Sequence, residues 1–454
     1  MKKLITTLQN IWKIEDLKSK ITVTLICILV YRFGAHIVLP GVDPQALGAL
    51  KSQTEGGILG ILDMFAGGAF SKASIFALGI MPYISASIVV QLLSMAVPRF
   101  QKLQKEGESG RKKLSQYTRF LTVLVCLGQA PGYLVNLQSQ APGAIIATTH
   151  PELVSMFQFT LTSVLIITAG TLFVMWLGER IQEKGIGNGT SLIIMVGIIA
   201  RMPHAIYAEF VSRLGDTGGA VVFLIEILIW LLVIAAVILL VQGTRKIPVQ
   251  FAKRIEGNRQ YGGVRQFIPL KVNTAGVMPI IFAQAIMFIP ATVAQFFPES
   301  AAWQGVASKF IDFSSFWYNF TFAFLIIIFT YFYTAIAVNP NQMADDMKKN
   351  GGFIPGVKPG RKTADFIDDV MSRITLPGSL FLAFVAIMPA LASIGGVNQN
   401  FAQFFGGTSL LILVGVVLDT LQQIESQLLM RKYDGLMKNG RIKGRSAVGS
   451  GVAY

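Results

Sequence analysis

Long apolar stretches alternate with polar segments along this chain, and they predict an all-α polytopic membrane protein. An apolar run of about 20 residues is long enough to cross the hydrocarbon core of a bilayer. Barrel strands would instead alternate polar and apolar residues, which these stretches do not do. The ten predicted transmembrane helices are residues 21–39, 75–97, 120–138, 157–177, 191–206, 220–241, 277–297, 317–338, 376–392 and 409–424.

The Lys and Arg residues between these stretches are concentrated in every second connection. Residues 139–156 and 393–408 contain neither. Because Lys and Arg are retained on the cytoplasmic side of a membrane, this alternation predicts that both termini are cytoplasmic. The basic segments are the amphipathic N-terminus 1–20, residues 99–119, 245–271 and 348–373, and the C-terminal tail 426–454.

The composition agrees with a membrane protein and adds an excess of positive charge. The chain has 454 residues, of which 53% are hydrophobic and 14% are charged, and its formal net charge is +15. Orientation in the membrane explains much of this charge. The connections 242–276 and 339–375 are more basic than orientation requires. We therefore expect them also to bind an acidic partner, such as a ribosome or a negatively charged protein.

The chain divides into two pseudosymmetric halves of five helices each, residues 21–217 and 218–425. Each half has a long connection after its first helix, 40–74 in one and 242–276 in the other. These two connections lie on opposite sides of the membrane, which is the arrangement that an inverted repeat produces. Two such halves can enclose a central pore at their interface.

The outward connection contains an apolar, glycine-interrupted segment, Gly57–Phe70, whose one acid is Asp63. It is too short to cross a membrane. It is either an interfacial helix on the outer membrane surface or a re-entrant segment surrounded by the other helices. The sequence alone favours neither alternative.

The sequence offers little chemistry for catalysis. The charges well inside the predicted spans are Arg32, Glu226 and Asp419, and they are too scattered for a proton or ion relay. Cys27 and Cys126 both lie in predicted spans and suggest no metal site. Phosphate-binding, zinc-protease and serine-hydrolase motifs are absent from the sequence. The sequence predicts neither an enzyme nor a bound cofactor or metal.

Eight sequence blocks stand out along the chain. They are YRFGAHIVLPGVD (31–43), MFAGGAFSKASIFALGIMPYISASI (64–88), KEGESGRKKLSQYTR (105–119), GIGNGTS (185–191), FAKR (251–254), PLKVNTAGV (269–277), NPNQMADDMKKNGGFIPGVKPG (339–360) and FGGTSLLI (405–412). In their order and spacing these blocks resemble the SecY family, the channel subunits of bacterial protein-conducting translocons. The resemblance extends over residues 21–438.

The resemblance implies an hourglass of ten helices with an apolar ring at its waist and a plug that closes the channel from outside. The implied ring is Ile80, Ile84, Thr190, Ile194, Ile281 and Ile412, where Thr190 replaces the family's aliphatic residue. The implied plug is residues 57–70, including Gly57, Ile58, Leu59, Ile61, Leu62, Asp63, Met64, Phe65, Gly67 and Gly68.

The resemblance also implies a lateral gate between the second and seventh helices, through which apolar segments leave for the lipid bilayer. Polar residues on these helices would set how hydrophobic a segment must be to leave through the gate. They are Ser85, Ser87, Gln91 and Gln284. The implied partner-docking residues are Lys253, Arg254, Lys358, Arg361 and Lys362, with Lys358 where the family usually has Arg.

The implied function is translocation of unfolded secretory polypeptides across the bacterial plasma (inner) membrane. The implied partners are the small membrane subunits SecE and SecG, the ATPase SecA, the ribosome, and signal peptides and precursor proteins in transit. The alternative is a secondary transporter, which also uses an inverted repeat and broken helices. A transporter would need a set of ion- or substrate-binding residues within the membrane, and the sequence does not offer one.

Overall fold

The computed structural model of the protein describes residues 14–48, 60, 63–149, 152, 155–215, 219–251, 254–256, 259–261, 265–296 and 314–438. Ten helices of 16 to 34 residues form the frame of this part of the chain. They are α1 (Glu15–Gly34), α2 (Met81–Ala96), α3 (Glu108–Gln140), α4 (Met156–Lys184), α5 (Gly189–Leu214), α6 (Gly219–Gln242), α7 (Met278–Phe296), α8 (Phe316–Ala337), α9 (Arg361–Ile394) and α10 (Gly407–Lys438).

Seven of the described helices are long and apolar enough to cross a membrane. The helix α2 is long enough to cross only when it is counted together with the short helix Pro98–Lys105. The two helices are bent by 102° relative to each other. The bend lies at Val97, whose extended backbone is the conformation that a following proline favours. The structure is thus a multi-pass helical membrane protein, and the number of ten spans stays a prediction.

Of the helices that continue beyond the predicted spans, three do so furthest. The helix α3 begins at Glu108, α9 begins at Arg361 and α10 ends at Lys438. Hydropathy locates only the part of a helix that lies in hydrocarbon, so it missed these polar ends. Residues 361–375, predicted as connection, are therefore the first turns of α9.

The buried apolar side chains form two large clusters that correspond to the two predicted halves. The first is built mainly from residues between Cys27 and Ala205. The second is built from residues between Val233 and Val414. Phe282 and Ile412 come from the second half but pack into the first cluster. The predicted boundary at 217 and 218 lies outside the described residues.

A small antiparallel sheet joins the two basic connections into one lobe, which the prediction of helices alone did not include. The strand β1 (Thr244–Phe251) pairs with β4 (Arg265–Lys271) on one side and with β5 (Gly352–Phe353) on the other. Between β1 and β4 in the sequence, the short strands β2 (Arg254–Glu256) and β3 (Arg259–Tyr261) pair with each other.

The lobe has its own apolar core. Along β1, Ile247 and Val249 are buried while Pro248 between them is exposed, as the twofold repeat of a strand requires. Met347 of the helix Pro340–Lys349 and Ile367 of α9 pack against them. Because both connections share this core, a force on one of them is transmitted to the other.

Polar contacts tie the first half to the second at both ends of α5. Near its start, the Gly187 amide donates to Gln423 Oε1 of α10 over 2.9 Å. At its other end, Arg213 Nη2 donates to the Gly396 carbonyl over 2.7 Å. One helical turn before Arg213, Glu209 accepts a hydrogen bond from the Asn398 amide over 2.9 Å. The helix α5 also packs against α10 between these points.

The Arg213 guanidinium is the one cation in contact with two buried carboxylates at this end of the described structure. Its Nε donates to Glu209 over 2.9 Å, and its Nη2 donates to Glu226 of α6 over 2.6 Å. The two carboxylate residues are 1% and 6% exposed. Charges at this depth are stable only when they are paired.

We expect Arg213→Ala to lower the thermal unfolding midpoint of the purified protein in detergent. Removing one partner of a buried ion pair costs about 3–5 kcal/mol, because it leaves an uncompensated charge. Arg119→Ala is the matched control, since Arg119 pairs with Glu179 but is 49% exposed. An exposed pair contributes about 0–1 kcal/mol. Equal midpoints for the two variants would show that the Arg213 contacts do not stabilise the fold.

Candidate functional site

A narrow apolar constriction lies between the two halves. Its cavity offers about 10 Å³ to the centres of water molecules. One water needs roughly 10–15 Å³ on this measure, so the space holds at most one. The lining side chains come from α2, α5, α7 and α10 and from residue 65; they are Phe65, Met81, Ile84, Ile194, Ile281, Gln284 and Ile412.

The structure brings four of the six predicted ring residues to this cavity: Ile84, Ile194, Ile281 and Ile412. Ile80 is 2% exposed and precedes Ile84 by about one helical turn. Thr190 instead lies beside α4, where a Cβ added to Gly178 would be 3.6 Å from its Oγ1. Neither of these two residues lines the cavity.

Three lining residues, Phe65, Met81 and Gln284, are not members of the predicted ring. Met81 is the first residue of α2 and directly follows Ile80. Gln284 is a predicted gate residue, and Phe65 belongs to the predicted plug. Its place in the cavity shows that the described end of the predicted plug reaches the ring. A sequence pattern could not have revealed this contact, because it depends on the fold of residues 66–80.

The described part of the predicted plug is buried among the helices. Every residue in the segment 63–70 is buried, so this part is not an interfacial helix on the membrane surface. Gly57, Ile58, Leu59, Ile61 and Leu62 lie outside the described residues.

Side chains from α1 and α3 hold the irregular backbone of this segment. Tyr31 donates to the Ala66 carbonyl over 3.1 Å, and Arg32 donates to the Gly67 carbonyl over 2.9 Å. Tyr133 of α3 donates to the Phe70 carbonyl over 2.9 Å. Non-helical backbone at membrane depth requires such partners, since hydrocarbon provides none.

Close backbone contact explains the glycine at position 67. Its φ of +66° lies in the left-handed region, which glycine adopts without steric cost. A Cβ added to Gly197 of α5 would lie 3.1 Å from the Gly67 nitrogen. Two glycines therefore face each other where the segment crosses α5.

An ion pair fixes the same segment to α5. Arg201 Nη1 lies 2.7 Å from Asp63 Oδ2, although the contact does not have the alignment of a hydrogen bond. The other carboxylate oxygen accepts from the Ser71 amide over 2.8 Å. Asp63 is fully buried, and the Arg201 side chain is 25% exposed. The pair thus joins a buried acid to a cation that still reaches solvent.

The predicted gate residues lie in different surroundings. Ser85 and Ser87 are half-buried on α2, and Ser87 donates to the Ile84 carbonyl over 3.0 Å. Gln91 is also half-buried, and its Oε1 has no hydrogen-bond partner among the described residues. Gln284 is only 2% exposed and lines the constriction. Their role in a gate stays a prediction.

The predicted docking residues lie on the lobe. Lys358, Arg361 and Lys362 are all exposed around the turn that leads into α9. The Lys358 carbonyl accepts from Thr363 Oγ1 over 2.9 Å, which orders this turn. The backbone of Arg254 lies on β2, and Lys253 lies outside the described residues.

Known proteins resemble this chain over nearly its whole length. A profile of the SecY family matches residues 74–421. The protein translocase subunit SecY of Streptomyces scabiei is 45% identical over 445 residues, which cover 96% of this chain and 100% of that relative. The protein translocase subunit SecY of Mycobacterium tuberculosis is 45% identical over 438 residues, covering 93% and 97%.

Solved structures share the fold at lower identity. One, described as the structure of a protein conducting channel, has a TM-score of 0.60 and 17% identity, covering 90% of this chain and 92% of that one. Another, Sec61 in the canine ribosome-channel complex from the endoplasmic reticulum, has a TM-score of 0.58 and the same identity and coverage. Since the profile matches most of the sequence and relatives are 45% identical, the chain belongs to the SecY family.

Proposed function

We propose that this protein is the membrane channel through which unfolded secretory polypeptides cross the bacterial plasma membrane, and from which hydrophobic segments pass sideways into the bilayer. The observation that carries the proposal is the constriction. Four isoleucines from both halves meet there, and Phe65 of the buried segment lines the same narrow cavity. A channel of this kind must open for a chain and yet stay closed to ions at rest.

The apolar side chains of the constriction suit this task. Bulky hydrocarbon at a narrow waist resists wetting, and dewetting closes a pore to ions. Isoleucine side chains can also pack around a passing chain of any sequence, because they make no directional bonds. Ile80 and Thr190 complete the proposed ring, and residues 57–70 form the proposed plug.

The partners proposed for this channel follow from its basic lobe and its membrane-spanning frame. The exposed cations Lys358, Arg361 and Lys362, together with Lys253 and Arg254, form the proposed docking surface for SecA and the ribosome. SecE and SecG are the proposed membrane partners, and both termini are proposed to be cytoplasmic. The proposed gate lies between α2 and α7, with Ser85, Ser87, Gln91 and Gln284 on its helices.

The first prediction of this proposal concerns the ion pair of the plug. Arg201→Ala leaves the fully buried Asp63 carboxylate unpaired, at a cost of about 3–5 kcal/mol to the closed state. We expect the open fraction of the resting channel to rise by roughly a hundredfold or more. Small-ion conductance of the purified channel complex in planar bilayers measures this rise.

A second variant separates loss of the plug contact from general damage. In the double variant Asp63→Asn with Arg201→Ala, neither charge remains, so the segment is no longer expelled by an unpaired carboxylate. We expect its conductance to return most of the way to the wild-type value. Wild-type conductance in Arg201→Ala alone would contradict the role of this pair in closing the channel.

The next prediction concerns the ring. Ile84→Asn or Ile412→Asn places an amide in the constriction, which favours wetting and weakens the closed state. We expect improved export of precursors with defective signal sequences. Ile229→Asn is the matched control, because Ile229 is 44% exposed on α6, away from the constriction. If all three variants gave the same export, the ring assignment would be wrong.

The last prediction of this proposal concerns the lobe. Lys358→Glu places repulsion at the centre of the proposed contact with the ATPase. We therefore expect ATP-driven import of a precursor into proteoliposomes to fall by about tenfold or more, equivalent to about 1.4 kcal/mol. The matched control is Lys246→Glu, which makes the same charge change at another exposed position on the lobe. Unimpaired import by the Lys358→Glu channel would remove this turn from the docking surface.

A further inference from the structure

Two small, partly open cavities lie beside the buried segment, and Met64 contacts both of them. The first offers about 40 Å³ to water centres and the second about 30 Å³. Met64 and Gln403 line both of them. Polar side chains in the first are Gln284, Tyr318, Asn319, Gln403, Thr408 and Ser409; those in the second are Arg201, His204, Asn400 and Gln403.

Two buried amides line these cavities, and each has donor capacity left over. Gln284 is 2% exposed and Gln403 is 8% exposed. The Gln284 amide is in contact with the Tyr318 hydroxyl, but neither Nε2 atom has a well-aligned hydrogen-bond partner among the described residues. Leaving a buried donor unsatisfied costs about 1–3 kcal/mol. Both side chains line the first cavity, so an acceptor placed there would satisfy them.

The sizes of the cavities restrict what can supply that acceptor. One water needs roughly 10–15 Å³ on this measure, so the first cavity has room for about three waters and the second for about two. Sites for drug-sized molecules measure about 300–1,000 Å³, far more than either cavity offers. Water both donates and accepts hydrogen bonds, so it suits a cavity lined by amides and hydroxyls.

Gln284 connects this polar space with the constriction. The same side chain lines the first cavity and the apolar ring cavity. Tyr318 and Ser409 lie on its polar side, while Ile84 and Ile281 lie on its apolar side. Water bound by Gln284 would therefore lie next to the ring, although the ring itself has almost no room for it.

We propose that Gln284 and Gln403 hold a cluster of ordered waters, about three in the first cavity, which supplies the first water to enter the ring when Met64 and Phe65 move away. The wetting role rests on the proposed function of the ring and plug. The water site itself does not, because it follows from the amides and the cavities alone.

A structure of the channel complex in lipid nanodiscs, determined by electron cryo-microscopy at a resolution that shows waters, tests the site. We expect ordered waters within about 3.2 Å of both amide nitrogens. Gln403→Leu should lose at least one of them. Gln399→Leu should retain all of them, because Gln399 is an exposed amide on the same segment. An amide–amide hydrogen bond or lipid-tail density in the cavity of the wild-type channel would overturn the site, even if neither variant could be purified.

Conductance tests the wetting role separately. In the Arg201→Ala background, we expect Gln284→Leu to reduce small-ion conductance severalfold and Gln399→Leu to leave it unchanged. Equal conductance in both would overturn the wetting role. If Arg201→Ala did not conduct at all, the proposed plug would be wrong, while the water densities would still decide whether the site exists.

Discussion

A polar group buried at membrane depth must find its partner within the protein, and the irregular segment 63–80 depends on that constraint. Tyr31, Arg32 and Tyr133 bond to carbonyls of this segment, and Arg201 neutralises its acid. Without these partners, non-helical backbone could not lie here. The contacts come from three helices, so the segment's position depends on how α1, α3 and α5 are arranged relative to each other.

This constraint also explains why apolar and polar spaces lie side by side. The four isoleucines of the constriction make no demand for hydrogen bonds, so this layer can close without water. The neighbouring cavities contain amides and hydroxyls, which cannot be buried dry without cost. In the proposed channel, closing the ring next to a polar space would keep the barrier to ions short, because only the apolar layer would have to be wetted for the path to open.

The sequence predicted the helices well because apolar runs of membrane length have few alternative structures. It placed Ile84, Ile194, Ile281 and Ile412 in one ring through family resemblance, and the structure brings them together. It did not predict the pairing of Asp63 with Arg201, or the sheet that β5 completes. Both depend on contacts between residues far apart in the chain, and neither residue type nor spacing specifies which distant partner will be adjacent.

The polar contacts at the ends of α5 give the two halves a fixed line of attachment. Gly187 bonds to α10 at one end, and Arg213 bonds to the Gly396 carbonyl at the other. These contacts hold the two halves together along α5. The isoleucines of the constriction come from the same two halves. Parting them therefore requires one half to move against the other, and such a movement would strain the contacts at the ends of α5.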